Sequence, residues 1–524
     1  MKKFIMYICA WSLLVTSGAG LNSCDNFEEI NTSPDLTTKV TSGMLATKLI
    51  LSVTRETVGV DGLNFMFDNM LSKEIFYNES SSLTESFTYN RLSRVNFKER
   101  ELAVATLNNI EGMIEFAPNS EAVKNAYVAL GHFVRAFKFF EFTMRVGDIP
   151  YSEAINGNSD IYYPKFDTQK EVFLGILDEL DKADQLFAAA TNFDGDIVYG
   201  GQCAQWRKAA NVLQLKILIN LFRKGDDADL KVKQRFQTIV GSRPVFASNA
   251  DNFQVVYSDK TGQRYPFYKD GNQGANGWTF SSSIVIDMLK LFEDRRLFYY
   301  ARPTPASINA SLSHTDPDAY RGVNPADVRT TVTEAIVNNE VSLLNERYIE
   351  QPAGEPSFLL SYAEMNFILA EAVVRGLLAG DAKVYYEAGV RAAMNFTADH
   401  TPDDSRFHHD MKITDDYIAT YLAGSHVAFA TAPAEQIRQI IQQKYLANFL
   451  QEPYHSYFEY RRTGHPALPI NPATNQNNPS DRMPMRWLYP QVEYDYNGDN
   501  VKAAVDRQYG GTDDTNGIMW ILKD

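Results

Sequence analysis

Apolar residues recur every three or four positions along several long stretches of the chain, the spacing of one buried face of an α-helix. One stretch begins at Glu121 and ends at the run 147–150 (GDIP), which stops a helix. The next begins at Thr168, and Glu171 three residues later completes a capping-box pattern, so the sequence predicts a helix from there to Phe187.

Four further stretches show the same spacing. They start near Trp206, at Tyr362, near Val384 after the turn 380–381, and at Pro433, where proline suits the first turn of a helix. The stretches that start at Tyr362 and near Val384 carry small and aromatic residues in the order expected of a tetratricopeptide-like helix pair: Leu369, Ala370, Ala372, Gly376, Ala382, Tyr386 and Ala388. We therefore predict a mainly α fold, a scaffold of tetratricopeptide-like helical hairpins with an irregular, long-loop portion that binds ligand.

The first 23 residues have the pattern of a secretory signal peptide. Lys2 and Lys3 precede an apolar run, and small residues lead to Leu21, Asn22, Ser23 and Cys24, a lipobox-like cleavage site. The apolar run is shorter than the roughly 20 residues that span a bilayer. We expect cleavage before Cys24, acylation of that cysteine as the lipid anchor, and one large domain over residues 24–524.

Composition restricts the class of partner. The net charge of −15 becomes more negative when the signal peptide leaves, which argues against nucleic acid as a partner. With Cys9 in the signal and Cys24 acylated, Cys203 has no cysteine to pair with, and we predict that it is a packed side chain rather than a nucleophile.

Long polar segments separate the helices, at 78–94, 257–278, 302–325 and 397–414. Loops of this length are often functional. In 257–278, aromatic rings alternate with amides, charges and glycines, and a sugar needs a flat ring against its C–H face and polar groups at its hydroxyl rim. The alternative is that these rings anchor the loop to the helices.

From this composition we select candidate ligand-binding residues in two segments. The later segment supplies Trp278, Tyr268, Tyr265, Asn272 and Gln273, with Asp270 and Arg264 as further polar neighbours, and the earlier one supplies Phe76, Tyr77, Asn78 and Tyr89.

The sequence offers little support for an enzymatic function. The chain has no glycine-rich phosphate loop, nucleophile elbow or paired-histidine zinc helix. His408, His409 and Asp410 lie in a polar loop without a fourth ligand at helical spacing. Asp499, Asp513 and Asp514 suggest either a calcium site or solvated turns. We expect no catalytic residues, no metal and no cofactor, with a surface glycoside hydrolase as the less favoured alternative.

Several motifs, taken in order, closely resemble those of SusD/RagB-type nutrient-binding outer-membrane lipoproteins. They are 24–31 (CDNFEEIN), 147–151 (GDIPY), 199–211, 360–364 (LSYAE), 458–466 (FEYRRTGHP), 482–490 (RMPMRWLYP) and 510–514 (GGTDD) before Trp520.

The resemblance implies a cell-surface lipoprotein that binds oligosaccharide, or in some branches peptide, and delivers it to a SusC-type TonB-dependent transporter of the outer membrane. It also implies that the chain is not an enzyme. The acidic residues Asp25, Glu28 and Glu29 resemble the export signal of such lipoproteins. In the C-terminal motif we predict that Arg461 and Arg462 stack on rings and bind carbonyls of the proline-rich tail.

Overall fold

The computed structural model describes residues 39–58, 69–78, 86–95, 104–155, 160–270, 275–452 and 454–524. The signal peptide, Cys24, Asn272 and Gln273 lie outside these ranges. Within them the chain is mainly helical, as predicted.

The described chain contains many helices and four short strands. The helices are α1 (Ser42–Val58), α2 (Asn109–Glu115), α3 (Glu121–Val146), α4 (Gln169–Ala188), α5 (Cys203–Asn220), α6 (Val232–Ser242), α7 (Ser283–Leu291), α8 (Arg329–Val337), α9 (Tyr362–Val374), α10 (Ala382–Asp399), α11 (Asp415–Leu422), α12 (Pro433–Ala447), α13 (His455–Thr463), α14 (Gln491–Tyr496) and α15 (Gly498–Tyr509). Helices of four or five residues are Ala275–Trp278, Leu297–Tyr300, Pro305–Asn309, Glu346–Glu350 and Ser405–His408. The strands are β1 (Ile75–Tyr77), β2 (Phe253–Val255), β3 (Thr279–Ser281) and β4 (Ser357–Leu360).

The first group of predicted helices packs around one aromatic cluster. α3 packs on α4, and α4 on α5. Trp206 of α5 is fully buried, with its ring 5.2 Å from Phe133 of α3 and 6.3 Å from Phe187 of α4, measured between centroids. The capping box is confirmed: Thr168 accepts a hydrogen bond from the amide of Glu171, and the Glu171 carboxylate accepts one from the amide of Thr168.

The second predicted hairpin is confirmed as α9 packed on α10, and α9 also contacts α5 and α12, which joins the two helical groups. A small residue is needed where α9 and α10 meet. A Cβ atom at Gly389 would lie 2.7 Å from the Phe367 ring, closer than packed atoms approach. This is the physical reason for a small-residue pattern in helix pairs of this kind.

Buried charges hold α13 to the helical scaffold. Arg462 binds both Glu371 of α9 and Glu459, and all three side chains are almost inaccessible to solvent. Arg461 behaves as predicted, because it donates to the carbonyl oxygen of Met485 in the proline-rich tail and lies 4.4 Å from the Phe458 ring. For Arg462 the prediction of tail carbonyls is wrong: two buried carboxylates attract a guanidinium more strongly than neutral carbonyls do.

Two antiparallel ribbons complete the described fold, β1 with β3 and β2 with β4. Phe76 of β1 lies opposite Phe280 of β3, and both pack with Val332 of α8 in a small apolar cluster separate from the main core. This cluster fixes the β1–β3 ribbon against α8 and sets the position of the residues at the end of the ribbon.

Candidate functional site

A half-exposed indole stands at one end of the β1–β3 ribbon. Trp278 immediately precedes β3 and is 51% exposed, whereas the rings beside it in the ribbon are buried. The amide of Asn78, just after β1, donates a 2.7 Å hydrogen bond to the carbonyl oxygen of Trp278. Main-chain pairing therefore fixes the backbone of Trp278 beside that of Asn78, and the Trp278 ring is half-exposed.

An arginine from a distant part of the chain adds a third polar group. Arg329, the first residue of α8, donates through Nη2 to Oδ1 of Asn78 at 3.2 Å. Its guanidinium carbon lies 5.6 Å from the centroid of the Phe76 ring. Asn78 thus connects to Trp278 through its main chain and to Arg329 through its side chain, and we call these three residues the ribbon end.

Tyr268 lies in the neighbouring polar segment and is partly exposed. The Arg264 guanidinium sits 5.2 Å from its ring centroid and also pairs with Asp259 and Asp270. Partial desolvation, together with the Asp270 carboxylate, raises the pKa of Tyr268. Tyr268 therefore offers a neutral hydroxyl at physiological pH.

Four other predicted residues are buried instead: Tyr265, Tyr77, Tyr89 and Phe76, which is 1% exposed and lies opposite Phe280 in the ribbon. The Tyr265 ring lies 5.4 Å from Tyr257 and 6.3 Å from Tyr348, and a Cβ atom at Gly354 would lie 2.3 Å from it. Its own exposure is only 2%, and among the described residues its hydroxyl has no hydrogen-bond partner. Tyr265 therefore packs the polar segment onto the core.

Tyr77 and Tyr89 are also buried, at 6% and 7% exposure. Tyr77 pairs with Thr279 in the ribbon. The Tyr89 hydroxyl donates to the carbonyl oxygen of Asp327 at 3.4 Å, two residues before α8 begins. Both residues therefore have structural contacts next to the ribbon end and present little ring surface to a ligand.

The structure therefore brings together Trp278 and Asn78, and it adds Arg329, which sequence reasoning missed. Arg329 lies 251 positions from Asn78, and no local pattern indicates that they meet. Asn272 and Gln273 fall outside the described residues.

The other sequence candidates have ordinary structural contacts. His408 bonds to Asp403, and His409 to the carbonyl oxygen of Phe298, so their side chains do not converge with Asp410, which pairs with His314. Cys203 is buried and its thiol donates to the carbonyl oxygen of Thr191 at 3.1 Å, and burial raises its pKa to about 11. The prediction of a packed thiol is confirmed.

The acidic residues Asp513 and Asp514, suggested as calcium ligands, also have ordinary structural partners. Asp513 is held by Arg94 and Arg486, and the Tyr494 hydroxyl donates to it. Asp514 accepts from the amide of Asn516 at 2.9 Å. Cationic partners already neutralise Asp513, so it acts as a structural carboxylate.

Within the described ranges, one group of buried side chains has a spacing that a metal ion could use. Potential ligand atoms of Glu364, Glu452 and His455 all lie within 4.8 Å of one another. The Lys216 ammonium is 3.2 Å from Glu364 and also bonds to Glu452. Burial and neighbouring cations lower the pKa of His455 well below its usual value. Lys216 already supplies the counter-charge of this cluster, which fits a structural role.

None of the helices in the described ranges has both the length and the apolar character needed to cross a membrane. No curated protein matches the chain. Two solved SusD homologues from Bacteroides fragilis NCTC 9343 are similar throughout. One is 42% identical with a TM-score of 0.87, covering 92% of this chain and 100% of its own. The other is 34% identical with a TM-score of 0.79, covering 93% and 100%.

A chitin-binding protein shares the fold at 23% identity and a TM-score of 0.71, covering 91% of this chain and 100% of its own. The SusD-like family described as "Starch-binding associating with outer membrane" matches residues 34–490. The chain therefore belongs to the SusD-like family of outer-membrane-associated binding proteins.

Proposed function

We propose that this chain is a cell-surface lipoprotein that binds oligosaccharide at the ribbon end and passes it to a SusC-type TonB-dependent transporter. The observation that carries the proposal is the half-exposed Trp278 indole, held in place by a main-chain hydrogen bond beside the Asn78 amide. The family's starch-binding description and the chitin-binding protein of the same fold support a carbohydrate ligand.

The chemistry of the ribbon end suits a sugar. An indole ring covers the apolar C–H face of a pyranose, and its fixed position reduces the entropy lost on binding. The side chains of Asn78 and Arg329 supply acceptors and donors to the hydroxyl rim. Tyr268 contributes a second ring with a neutral hydroxyl.

The remaining sequence candidates have two proposed roles. Asn272 and Gln273 are proposed to contact the ligand, because they lie three and two positions before the short helix that ends at Trp278. Tyr265, Tyr77 and Tyr89 act indirectly, by packing the segments that carry the exposed groups.

The lipid at Cys24 holds the binding domain at the outer membrane, and the transporter is its partner there. The lipobox-like run before Cys24 and the membership of the family support both parts of this proposal. The SusD-like family consists of binding proteins, so we expect the ligand to leave the ribbon end with its bonds intact.

The test is a ligand screen with the mature chain, carrying Cys24→Ser for solubility. Its migration is measured in native gels that contain soluble starch, soluble chitin oligosaccharide or a protein digest, and reducing ends are measured over the same period. We expect retardation by a glycan and no new reducing ends. Retardation by the digest alone would instead favour the peptide-binding branch, and release of reducing ends that depends on one carboxylate would favour a hydrolase.

Partnership with the transporter needs its own measurement. The native lipoprotein, extracted from membranes in mild detergent, is expected to co-purify with a TonB-dependent transporter. Purification without any such barrel would contradict the delivery step while leaving glycan binding standing.

A further inference from the structure

A polar pocket opens between α4, α5 and α6, helices that contribute nothing to the ribbon end. Asp181 of α4, Gln214 of α5, and Arg235 and Arg243 on the α6 side line it, and its volume is about 160 Å³. Pockets for drug-sized ligands occupy about 300–1,000 Å³. The pocket therefore suits a small ligand or one end group of a larger ligand.

The charge of the lining is positive although the chain as a whole carries −15. Arg235 and Arg243 each donate one terminal nitrogen to Asp181, at 2.5 Å and 2.7 Å. Lys231 stands at the same pocket and adds a third cation. Asp181 opposes three cations in the lining, and a second carboxylate, that of Asp184, lies 3.8 Å from Nε of Arg243. Positive charge still exceeds negative charge around the pocket, so the lining attracts an anion, and a guanidinium carries further N–H donors for it.

The floor of the pocket contains an amide that the protein leaves unused. Gln214 is fully buried, and neither its Nε2 nor its Oε1 has a hydrogen-bond partner among the described residues. Its neighbour Asn211, three positions earlier on α5, donates to Asp184 and to the carbonyl oxygen of Pro244. A buried amide without partners destabilises the fold, and a ligand that carries both a donor and an acceptor would relieve this cost.

We propose that this pocket binds a small hydroxycarboxylate, the chemistry that a uronic acid carries. The carboxylate accepts from the guanidinium groups of Arg235 and Arg243 and from Nε2 of Gln214. A hydroxyl of the same molecule donates to Oε1 of Gln214, which a simple anion without a hydrogen cannot do. This pocket is separate from the ribbon end, and the proposal for the pocket does not depend on glycan binding at the ribbon end.

The probe is sodium D-glucuronate, titrated calorimetrically into the mature full-length chain. D-glucose tests the need for the carboxylate, and sodium acetate tests the need for the hydroxyl. We expect one equivalent of glucuronate to bind at least tenfold more tightly than either of them. Gln214→Met, which keeps the shape and removes both polar atoms, and Arg235→Gln are each expected to weaken glucuronate at least tenfold.

Arg482→Gln is the matched control, because Arg482 is an exposed arginine that also pairs with a single aspartate, Asp481. Its glucuronate affinity should equal that of the wild type. Equal binding of acetate and glucuronate would overturn the proposal, as would glucuronate binding that survives Arg235→Gln, or no binding at all. If Gln214→Met does not fold, Arg235→Gln decides the question by itself.

Discussion

The amide nitrogen of Asn78 lies 2.7 Å from the carbonyl oxygen of Trp278, and this main-chain hydrogen bond extends the β1–β3 ribbon by one residue on each strand. The bond fixes the backbone that carries the half-exposed Trp278 ring without using any side chain. The side chain of Asn78 is left to contact Arg329 and a ligand. The two roles of Asn78 can therefore be separated by mutation.

Asn78→Ala should weaken glycan binding about two- to tenfold, because a side-chain hydrogen bond contributes about 0.5–1.5 kcal/mol. The ribbon should remain, since its hydrogen bond comes from the backbone. Isothermal titration gives the affinity and thermal melting gives the stability. A large fall in melting temperature with unchanged affinity would show that Asn78 has only a structural role.

Tyr265 allows a test between burial and ligand contact. Its hydroxyl is buried without a partner among the described residues, so Tyr265→Phe should leave stability unchanged or raise it by up to about 1 kcal/mol. Tyr265→Ala should lower the free energy of unfolding by about 3–5 kcal/mol, as truncation of a buried aromatic ring does. Urea denaturation measures both variants. A loss of glycan affinity in Tyr265→Phe at unchanged stability would instead identify Tyr265 as a direct contact.

The sequence predicts the scaffold well, because long helices carry their periodicity locally. The helix from Glu121 ends at Val146, just before the predicted stop, and Thr168 and Glu171 cap α4 as expected. The strands could not be found in this way. Three-residue strands have no measurable period, and β1 pairs with β3 across about 200 residues.

The candidate site was predicted only in part for a related reason. Composition identifies Trp278 as a platform but cannot tell that Tyr265, in the same polar segment, is buried against Tyr257 and Tyr348. Arg329 and the ion pair of Arg462 with Glu371 both depend on contacts between distant segments. Such contacts leave no trace in the spacing of residues along the chain.

Glu74 should make stability depend on pH. It is buried, it accepts hydrogen bonds from the Leu450 amide and the Ser456 hydroxyl, and burial raises its pKa from 4.5 to about 8. Between these values the folded state binds more protons than the unfolded state, so the contribution of Glu74 to stability falls as pH rises from about 4.5 to 8.

Glu74→Gln removes this titration. The stability difference between wild type and Glu74→Gln should shift in favour of the variant on going from pH 5 to pH 8, measured by urea denaturation at both values. A difference that stays constant, or that shifts towards the wild type, would contradict the assignment of a raised pKa to Glu74.

Arg462 should be among the most sensitive positions for stability. Burial would raise the pKa of the Glu459 carboxyl, but Arg462 and Lys444 lower it to about 2, so the carboxylate is ionised inside the core. Arg462→Met leaves the buried carboxylates of Glu371 and Glu459 without their shared cation and should lower the free energy of unfolding by about 3–5 kcal/mol.

The exposed pair of Arg482 with Asp481 provides the comparison for Arg462. Arg482→Met should change the free energy of unfolding by less than about 1 kcal/mol. Similar losses in the two variants would mean that the Arg462 cluster is far better hydrated than its burial indicates.

The most direct test of the account is the affinity of Trp278→Ala for the glycan that binds the wild type best, measured by isothermal titration beside Tyr496→Ala. Tyr496 is 73% exposed and lies on α14, which contributes no residue to the ribbon end, so it controls for the loss of any surface ring. Since stacking on an aromatic side chain contributes on the order of 1–3 kcal/mol, we expect a loss of affinity of at least about fivefold for Trp278→Ala, an unchanged melting temperature, and wild-type affinity for Tyr496→Ala. Wild-type affinity in Trp278→Ala would contradict glycan binding at the ribbon end.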